Sequence, residues 1–288
     1  MTWKQYAEEL ERNLKLLHTK LHEGSYRARP SRRVFIPKPD GSQRPLRIAS
    51  LEDKIVQRAV VEVLNAIYEM DFLGFSYGFR PGRGQHMALD AFATGIRRKK
   101  VIWVLDADIR GFFDAIDHEW LRRMLEDRVA DRRLLRLIHK WLRAGVVEDG
   151  IKTRTEKGSP QGATISPLLA NVYLHYVFDL WVAQWRRRHA RGDVIVVRYA
   201  DDCVLGFQYE DDARRLWAEL VARMAKFGLE LHPDKTRLMR SRLFSAKSEG
   251  RASPEPSTFS ASRIFAGGRV RGGSSWFDEH RGSGWLYD

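Results

Sequence analysis

Two pairs of acidic residues lie beside short apolar runs, a pattern that indicates carboxylates at the ends of buried strands. Val101-Ile-Trp-Val-Leu105 runs directly into Asp106 and Asp108, and Asp201-Asp202 separates two further apolar runs. Carboxylates so close together repel one another where a sheet core excludes water, and a divalent cation relieves that repulsion. Oxygen ligands without a His or Cys cluster favour Mg²⁺ over Zn²⁺. The pattern predicts a Mg²⁺ site; the alternative for Asp201-Asp202 is a solvated, Asp-rich turn.

The composition of the 288-residue chain narrows its class and partners. Its 50 Lys and Arg residues exceed its 37 Asp and Glu residues, and the net charge of +13 favours a polyanion partner over a merely basic surface. A hydrophobic content of 43% excludes a wholly disordered chain. No apolar run is long enough to span a membrane. The single cysteine, Cys203, excludes an internal disulfide and fits a reducing, cytoplasmic compartment.

Hydrophobic periodicity predicts the elements that must position these acids. No dinucleotide-binding βαβ pattern occurs, so the alternating strands and helices favour an α+β fold with an antiparallel sheet. The Gly-rich segment 75–84 is predicted to be an ordered loop. The remaining elements are an N-terminal helix, a hairpin over 33–48, a helix over 51–68, a helix over 119–129, a helix opened by Ser166 as N-cap and Pro167, a hairpin over 194–207, and a helix over 211–227 ended by Gly228.

Six motifs, in one order between Trp3 and Leu238, resemble those of reverse transcriptases, most closely the group II intron-encoded, maturase-type branch. The Tyr-Xaa-Asp-Asp hairpin is unspecific by itself, but the ordered set is specific. The motifs are Ile36-Pro-Lys-Pro-Asp-Gly41 with Arg44-Pro-Leu46, Ser76-Tyr-Gly-Phe-Arg-Pro-Gly-Arg-Gly84, Asp106-Ala-Asp-Ile-Arg-Gly-Phe-Phe-Asp114 with Ile116-Asp-His118, Gly158-Ser-Pro-Gln-Gly162 with Ser166-Pro-Leu-Leu-Ala-Asn171, Tyr199-Ala-Asp-Asp202, and Gly228-Leu-Glu-Leu231 with Lys235-Thr236.

This resemblance implies the fingers and palm of a right-hand polymerase, with an antiparallel palm sheet packed on helices and the thumb missing or unformed. Residues 1–98 would form the fingers and the start of the palm, and 99–240 the palm with its catalytic motifs. Residues 241–288 would be an irregular tail in place of the thumb, and the chain would be truncated at both ends. Codons compatible with 256–264 allow the family's Phe-Xaa-Phe-Leu-Gly-Phe thumb motif in an adjacent frame. We therefore expect a shifted reading frame, against the alternative of an unrelated low-complexity tail.

The resemblance also assigns the catalytic centre. Asp108, Asp201 and Asp202 match the three aspartates that bind two Mg²⁺ ions, for which Mn²⁺ is a substitute. Asp108 is preferred to Asp106 because the family's acid lies five positions before an aromatic residue, here Phe113. Phe113 matches a steric gate that excludes a ribose 2′-OH, against the alternative of core packing. The other acids of this motif, Asp106, Asp114 and Asp117, would be supporting or surface residues, and His118 structural.

Further residues match nucleotide-binding positions of the family. Lys38 and Arg44 would hold the incoming triphosphate, against the alternative of a solvated turn. Gln161 and Gly162 would lie under the templating base and the nucleotide, where a glycine permits close backbone approach. Lys235 would face the leaving pyrophosphate, against the alternative of an unspecialised surface lysine.

The function implied is that of an RNA-directed DNA polymerase module from a group II intron-type retroelement. It would transfer nucleotides from dNTPs to a primer 3′-OH by two-metal chemistry, on an RNA template with a DNA primer. Its own intron RNA is a further expected partner; no membrane partner is expected. Two alternatives stay open: a retron, diversity-generating or CRISPR-linked reverse transcriptase, and a non-catalytic remnant that binds intron RNA.

Overall fold

A computed structural model describes residues 2–37, 41, 43–148, 151–153, 157–160 and 162–241. Three sequence predictions lie outside these residues: the roles of Lys38 and Gln161, and the nature of the tail from residue 242 onward. For Arg44 the backbone alone is described.

Helices account for half of the described residues. They are α1 (Trp3–Ala7), α2 (Leu10–His22), α3 (Leu51–Tyr68), α4 (Gln85–Arg98), α5 (Phe112–Ala115), α6 (His118–Glu126), α7 (Arg132–Arg143), α8 (Ser166–Leu174), α9 (Leu180–Arg188) and α10 (Glu210–Lys226), with a π-helix at His175–Asp179 between α8 and α9. None of the described helices is both long and apolar enough to cross a membrane.

The described strands form two four-stranded sheets. The first has the order β2-β1-β4-β5, and the second has the order β6-β7-β3-β8 and is antiparallel throughout. This α+β architecture confirms the fold class that the sequence predicts. The strands are β1 (Ser31–Pro37), β2 (Gln43–Ile48), β3 (Trp103–Ala107), β4 (Val146–Glu148), β5 (Ile151–Thr153), β6 (Val194–Tyr199), β7 (Asp202–Phe207) and β8 (Arg237–Arg240).

The second sheet is covered on both faces, which explains its continuous apolar runs. Leu105 and Leu205 lie on one face and belong to the main core, with helices such as α8 and α10. Val104 and Val204 lie on the other face and pack on α4 through Phe92. Because side chains alternate between the two faces along each strand, the position of a residue in its strand determines which face it lies on at the end of the sheet.

Most predicted elements are present, with two corrections at helix ends and connections. Ser166 is the first residue of α8 and not its N-cap, because its hydroxyl is hydrogen-bonded to the Ser159 hydroxyl at 2.8 Å. The segments that form α4 and α7 are further helices that the sequence patterns do not predict. By contrast, Gly228 ends α10 as predicted, with a φ of 73°.

Candidate active site

The predicted catalytic acids lie at one end of the second sheet. β3 and β7 pair from Trp103 opposite Phe207 to Ala107 opposite Cys203. Continuing that register by one residue places Asp108 opposite Asp202, and directly opposed residues of an antiparallel pair project from the same face. This is the face covered further along by α4. The strand pairing thus brings together two acids that are far apart in sequence, with Asp201 in the adjoining turn.

Negative charge accumulates at this end of the sheet. Asp106 is two residues from Asp108 on the same strand face, and partial burial and the charge of Asp108 raise its pKa to about 6, with Arg237 acting in the opposite direction. Two cations come from the far end of the described chain: Arg237, and Lys235, whose Nζ lies 3.5 Å from Asp108 Oδ2. Arg237 acts to lower the pKa of Asp106, but burial, the largest cause, and the charge of Asp108 outweigh it.

These residues fit a divalent cation by two observations. The donors are carboxylate oxygens, which Mg²⁺ prefers, and repulsion from Asp108 is, after desolvation by burial, a cause of the raised pKa of Asp106 that a cation would relieve. Within the described part of the chain, no three His, Cys, Asp or Glu side chains are grouped so that they could hold one ion together. That is compatible with Mg²⁺, which binds one or two carboxylates and completes its shell with water and substrate phosphates.

The turn between β6 and β7 is fixed by a close backbone contact. Ala200 has a φ of 57°, in the left-handed region that L-residues adopt at a free-energy cost. A Cβ on Gly78 would lie 2.2 Å from the Ala200 backbone nitrogen, so only glycine allows the Gly-rich loop to touch this turn. The loop predicted from 75–84 is therefore a structural support for the turn that carries Asp201.

Arg198 joins this support from inside the protein. Its side chain is fully buried, and its Nε and Nη2 donate to the carboxylate of Asp179 at 2.7 and 2.6 Å. Its Nη1 donates to Asn171 Oδ1 at 3.0 Å and to the Ala200 carbonyl at 2.9 Å, and its Nη2 also donates to Ser76 Oγ at 2.7 Å. One guanidinium thus connects the turn with α8, the π-helix and the Gly-rich loop.

The Arg198 network is a feature that the sequence analysis did not identify. Burial alone would lower the pKa of Arg198, but the Asp179 carboxylate raises it, so the guanidinium stays charged. The sequence does contain a signal for this arginine. Arg198 follows the apolar run 194–197 and lies on the same strand face as Val196, which packs in the core. An arginine at an inward-facing strand position needs a buried carboxylate partner.

Phe113 retains part of its exposure. Its neighbour Phe112 is fully buried, whereas Phe113 is half-buried and packs edge-on against Phe112 and Phe79, with ring centroids 5.6 and 6.4 Å away. The core aromatic of this pair is therefore Phe112. Phe113 also packs against the main core with its buried part, so its role as a gate stays a prediction.

The other predicted site residues that the structure describes have identifiable contacts. Gly162 has a φ of 96°, and a Cβ on it would lie 2.9 Å from the carbonyl oxygen of Arg47 in β2. The backbone that Gly162 approaches closely is therefore that of β2 in the first sheet. Asp114 pairs with Arg47 at 3.6 Å, Asp117 caps α6, and His118 Nε2 lies 2.7 Å from the Gly158 carbonyl. These contacts fit the supporting and structural roles predicted for those three residues.

Sequence comparison places this geometry in a known family. The model of the family "Reverse transcriptase (RNA-dependent DNA polymerase)" matches residues 36–259. The protein YkfC of Escherichia coli K12 is 34% identical over 258 residues, which cover 78% of this chain and 67% of YkfC. The group II intron-encoded protein LtrA of Lactococcus lactis subsp. cremoris is 38% identical over 182 residues, covering 63% of this chain and 30% of LtrA. The chain thus spans about two thirds of one relative's length and under a third of the other's.

Solved structures show the same fold. Apo telomerase from Candida tropicalis, truncated from the C-terminal domain, superposes with a TM-score of 0.58 at 14% identity, over 74% of this chain and 50% of that chain. The identity is too low to carry more than the fold. The sequence matches confirm the predicted resemblance to the group II intron-encoded branch, and the structural match confirms the predicted polymerase fold. The chain belongs to the reverse transcriptase family.

Proposed function

We propose that this chain is the RNA-directed DNA polymerase module of a group II intron-type retroelement, adding dNTPs to a primer 3′-OH. The observation that carries the proposal is the β3–β7 register, which ends with Ala107 opposite Cys203; continued by one residue it would set Asp108 opposite Asp202, beside the turn that holds Asp201. Phosphoryl transfer needs charge stabilisation more than covalent chemistry, and clustered carboxylates that bind Mg²⁺ provide the means for it.

The reaction has few requirements of the protein beyond position and charge. The primer 3′-OH loses its proton and its oxygen attacks the α-phosphorus of the nucleotide. The bond between the α-phosphorus and the oxygen that bridges to the β-phosphate breaks, and pyrophosphate leaves. Asp108, Asp201 and Asp202 would hold two Mg²⁺ ions, or Mn²⁺ in their place. Such ions supply stabilisation of negative charge on the attacking and leaving oxygens. The residues themselves fix the carboxylates on a rigid sheet end, so little reorganisation is needed at the moment of reaction.

The nucleotide would be held by side chains around this centre. Lys38 and Arg44 bind the triphosphate, and Gln161 and Gly162 lie under the templating base and the nucleotide. Phe113 lies beneath the sugar; its partial exposure supports this role. Lys235 is 3.5 Å from Asp108 and 54% exposed, so its ammonium can turn to the leaving pyrophosphate when the nucleotide enters.

The partners and the division of the chain follow from the same proposal. An RNA template, a DNA primer and the element's own intron RNA are the nucleic-acid partners, supported by the net charge of +13. The structure of telomerase from Candida albicans in complex with a fragment of telomeric RNA has a TM-score of 0.54 to this chain, at 14% identity over 74% of this chain and 42% of that chain. Residues 1–98 serve as fingers and 99–240 as palm. A cytoplasmic location rests on the single, buried cysteine.

Primer extension on matched templates tests the proposal. The purified chain should extend a DNA primer on an RNA template with dNTPs and Mg²⁺, and the product should follow the template sequence. Omission of Mg²⁺ or of the template is the control and should abolish the product. Tight RNA binding without extension in Mg²⁺ or Mn²⁺ would contradict polymerase function and favour the non-catalytic RNA-binding alternative. The genes that neighbour this one would separate the retron, diversity-generating and CRISPR-linked alternatives from the intron type.

A further inference from the structure

Phe79 is held in an unfavourable conformation that its own packing does not explain. It and Ala200 are the non-glycine residues with positive φ in the described part of the chain, and Phe79 has a φ of 59°. Its side chain is nonetheless 47% exposed. A large apolar ring that is both strained and half exposed stabilises the fold by neither burial nor backbone preference.

The residue after Phe79 is firmly anchored. Arg80 is 6% exposed, and its Nε and Nη2 donate to the Glu69 carboxylate at 3.0 and 2.8 Å. Its Nη1 donates to the carbonyl oxygens of Leu73 and Ser76 at 2.9 and 2.8 Å. Four short contacts of this kind leave the backbone at residue 80 little freedom.

The residue before Phe79 is anchored equally well. Gly78 is pressed against the Ala200 backbone nitrogen, and its carbonyl accepts a hydrogen bond from Asn171 Nδ2 at 2.7 Å. Phe79 is thus the strained link between two fixed points. Strain that the surroundings impose at such a point occurs preferentially at ligand-binding and catalytic positions.

The ring of Phe79 projects beside Phe113. Their centroids are 6.4 Å apart and their planes are inclined by 70°, so the two rings pack edge to face. Phe113 lies five residues after Asp108, on the segment that leaves the acidic end of the sheet. Phe79 therefore lies next to the segment that follows Asp108 and carries Phe113.

We propose that Phe79 is a further nucleotide-contacting residue, whose ring packs against the nucleobase of the nascent base pair while Phe113 lies beneath the sugar. The inference rests on the proposed function and names a second wall of its substrate pocket. A phenyl ring has no hydrogen-bonding group, so the contact accepts all four bases. The backbone strain at residue 79 is the means by which the loop presents the ring.

The test uses the fact that glycine adopts positive φ without strain. Phe79→Gly removes the ring and the strain together, so we expect a melting temperature equal to or above that of the wild type. The dissociation constant of each dNTP should rise about 5- to 150-fold, the range for loss of one base–aromatic contact. It is measured on a complex whose primer ends in a dideoxynucleotide, so no chemistry is required. Phe79→Tyr, which restores a ring, should recover most of the affinity.

Tyr209→Ala is the matched control, because Tyr209 is a similarly exposed aromatic, at 45%, on another part of the chain. It should leave dNTP affinity unchanged. A stable Phe79→Gly variant with wild-type affinity for all four dNTPs would overturn the proposal. Should Phe79→Gly fail to fold, Phe79→Leu keeps the bulk without the aromatic face and must show the same loss of affinity. A wild-type protein that binds dNTPs in the blocked complex but never extends an open primer would refute the polymerase function separately.

Discussion

Asp106 and Asp108 place two carboxylates on one face of a strand end, and their partial burial and mutual repulsion have a measurable consequence. The pKa of Asp106 is raised to about 6 by partial burial and by Asp108. Above that pH the ionised carboxylate opposes folding of the metal-free protein, because its pKa in the unfolded chain is near 3.9. The destabilisation is complete above pH 6 and disappears as the pH falls below about 4.

Replacing Asp106 should therefore stabilise the protein in the presence of a chelator. Asp106→Asn should raise the free energy of unfolding at pH 7.5 by about 1–2 kcal/mol, after allowance for its partial exposure, and by much less at pH 4. Denaturant unfolding at the two pH values measures this. Equal effects at both pH values, or destabilisation at pH 7.5, would contradict the account of the charge at this edge.

Phe113 governs the choice of sugar if it is a gate. Phe113→Val opens space below the sugar, so the ratio of kcat/KM for dNTP to that for rNTP should fall by about 10- to 200-fold. Single-nucleotide incorporation with paired dNTP and rNTP substrates gives the ratio. Because Phe113 is only partly buried against the core, whereas Phe112 is fully buried, the melting temperature should fall less than in Phe112→Val. An unchanged ratio in a destabilised protein would assign Phe113 to core packing.

At the scale of single residues, contacts between neighbours in the sequence could be predicted from the sequence, and contacts between residues far apart in the sequence could not. Asp201-Asp202 sit together in one turn, so their pairing is visible in the sequence. The contact between Lys235 and Asp108 spans 127 positions and depends on the pairing of β3 with β8. Likewise, the partner of Arg198 is Asp179 on a different element.

Between elements, the buried pair of Arg198 and Asp179 ties the catalytic turn to its surroundings. Desolvation makes such pairs poor sources of stability, and an apolar pair of similar volume often replaces them without loss. The value of this pair lies in geometry: a charged fork directed at Ala200, Asn171 and Ser76 sets where the turn lies. Positioning and stability can therefore be separated by mutation.

Arg198→Met should destabilise the protein by about 3–5 kcal/mol, because it leaves the Asp179 carboxylate buried and unpaired. The double variant Arg198→Met with Asp179→Leu should recover most of that stability. Its kcat for nucleotide addition should nevertheless stay reduced, with KM for dNTP changed less. Thermal melting and steady-state extension measure the two properties. Recovery of kcat together with stability would mean that the pair acts only on folding.

Elements with local signals were predicted best. α3 occupies Leu51–Tyr68 as its periodicity indicates, and the β6–β7 hairpin follows from two apolar runs around a turn. The helix α7 is not apparent from the sequence, because its many arginines mask the apolar positions that recur at helical spacing. Those positions are Leu134, Leu135, Ile138, Trp141 and Leu142. The π-helix at His175–Asp179 had no sequence signal, since it depends on the surroundings of Asp179.

For the whole molecule, the net charge of +13 predicts how nucleic acid is held. Phosphate contacts release counterions, so affinity for a template–primer duplex should fall about 10³- to 10⁵-fold between 50 and 200 mM salt if six to ten phosphates are bound. Sequence preference should be weak, because such contacts carry no base information. Fluorescence anisotropy across a salt series measures this, with duplexes of different sequence as the control. Binding that does not respond to salt would contradict a phosphate-dominated surface.

The central claim is that the acids at the end of the second sheet perform nucleotide addition, and one comparison tests it most directly. Primer extension on an RNA template should proceed with the wild type and with Asp90→Asn, which removes an exposed acid on α4. It should fall by at least about 100-fold in Asp202→Asn, with no loss of melting temperature in chelator, because a charge-stabilising group is removed from a repelling cluster. Extension by Asp202→Asn at the wild-type rate would contradict the account.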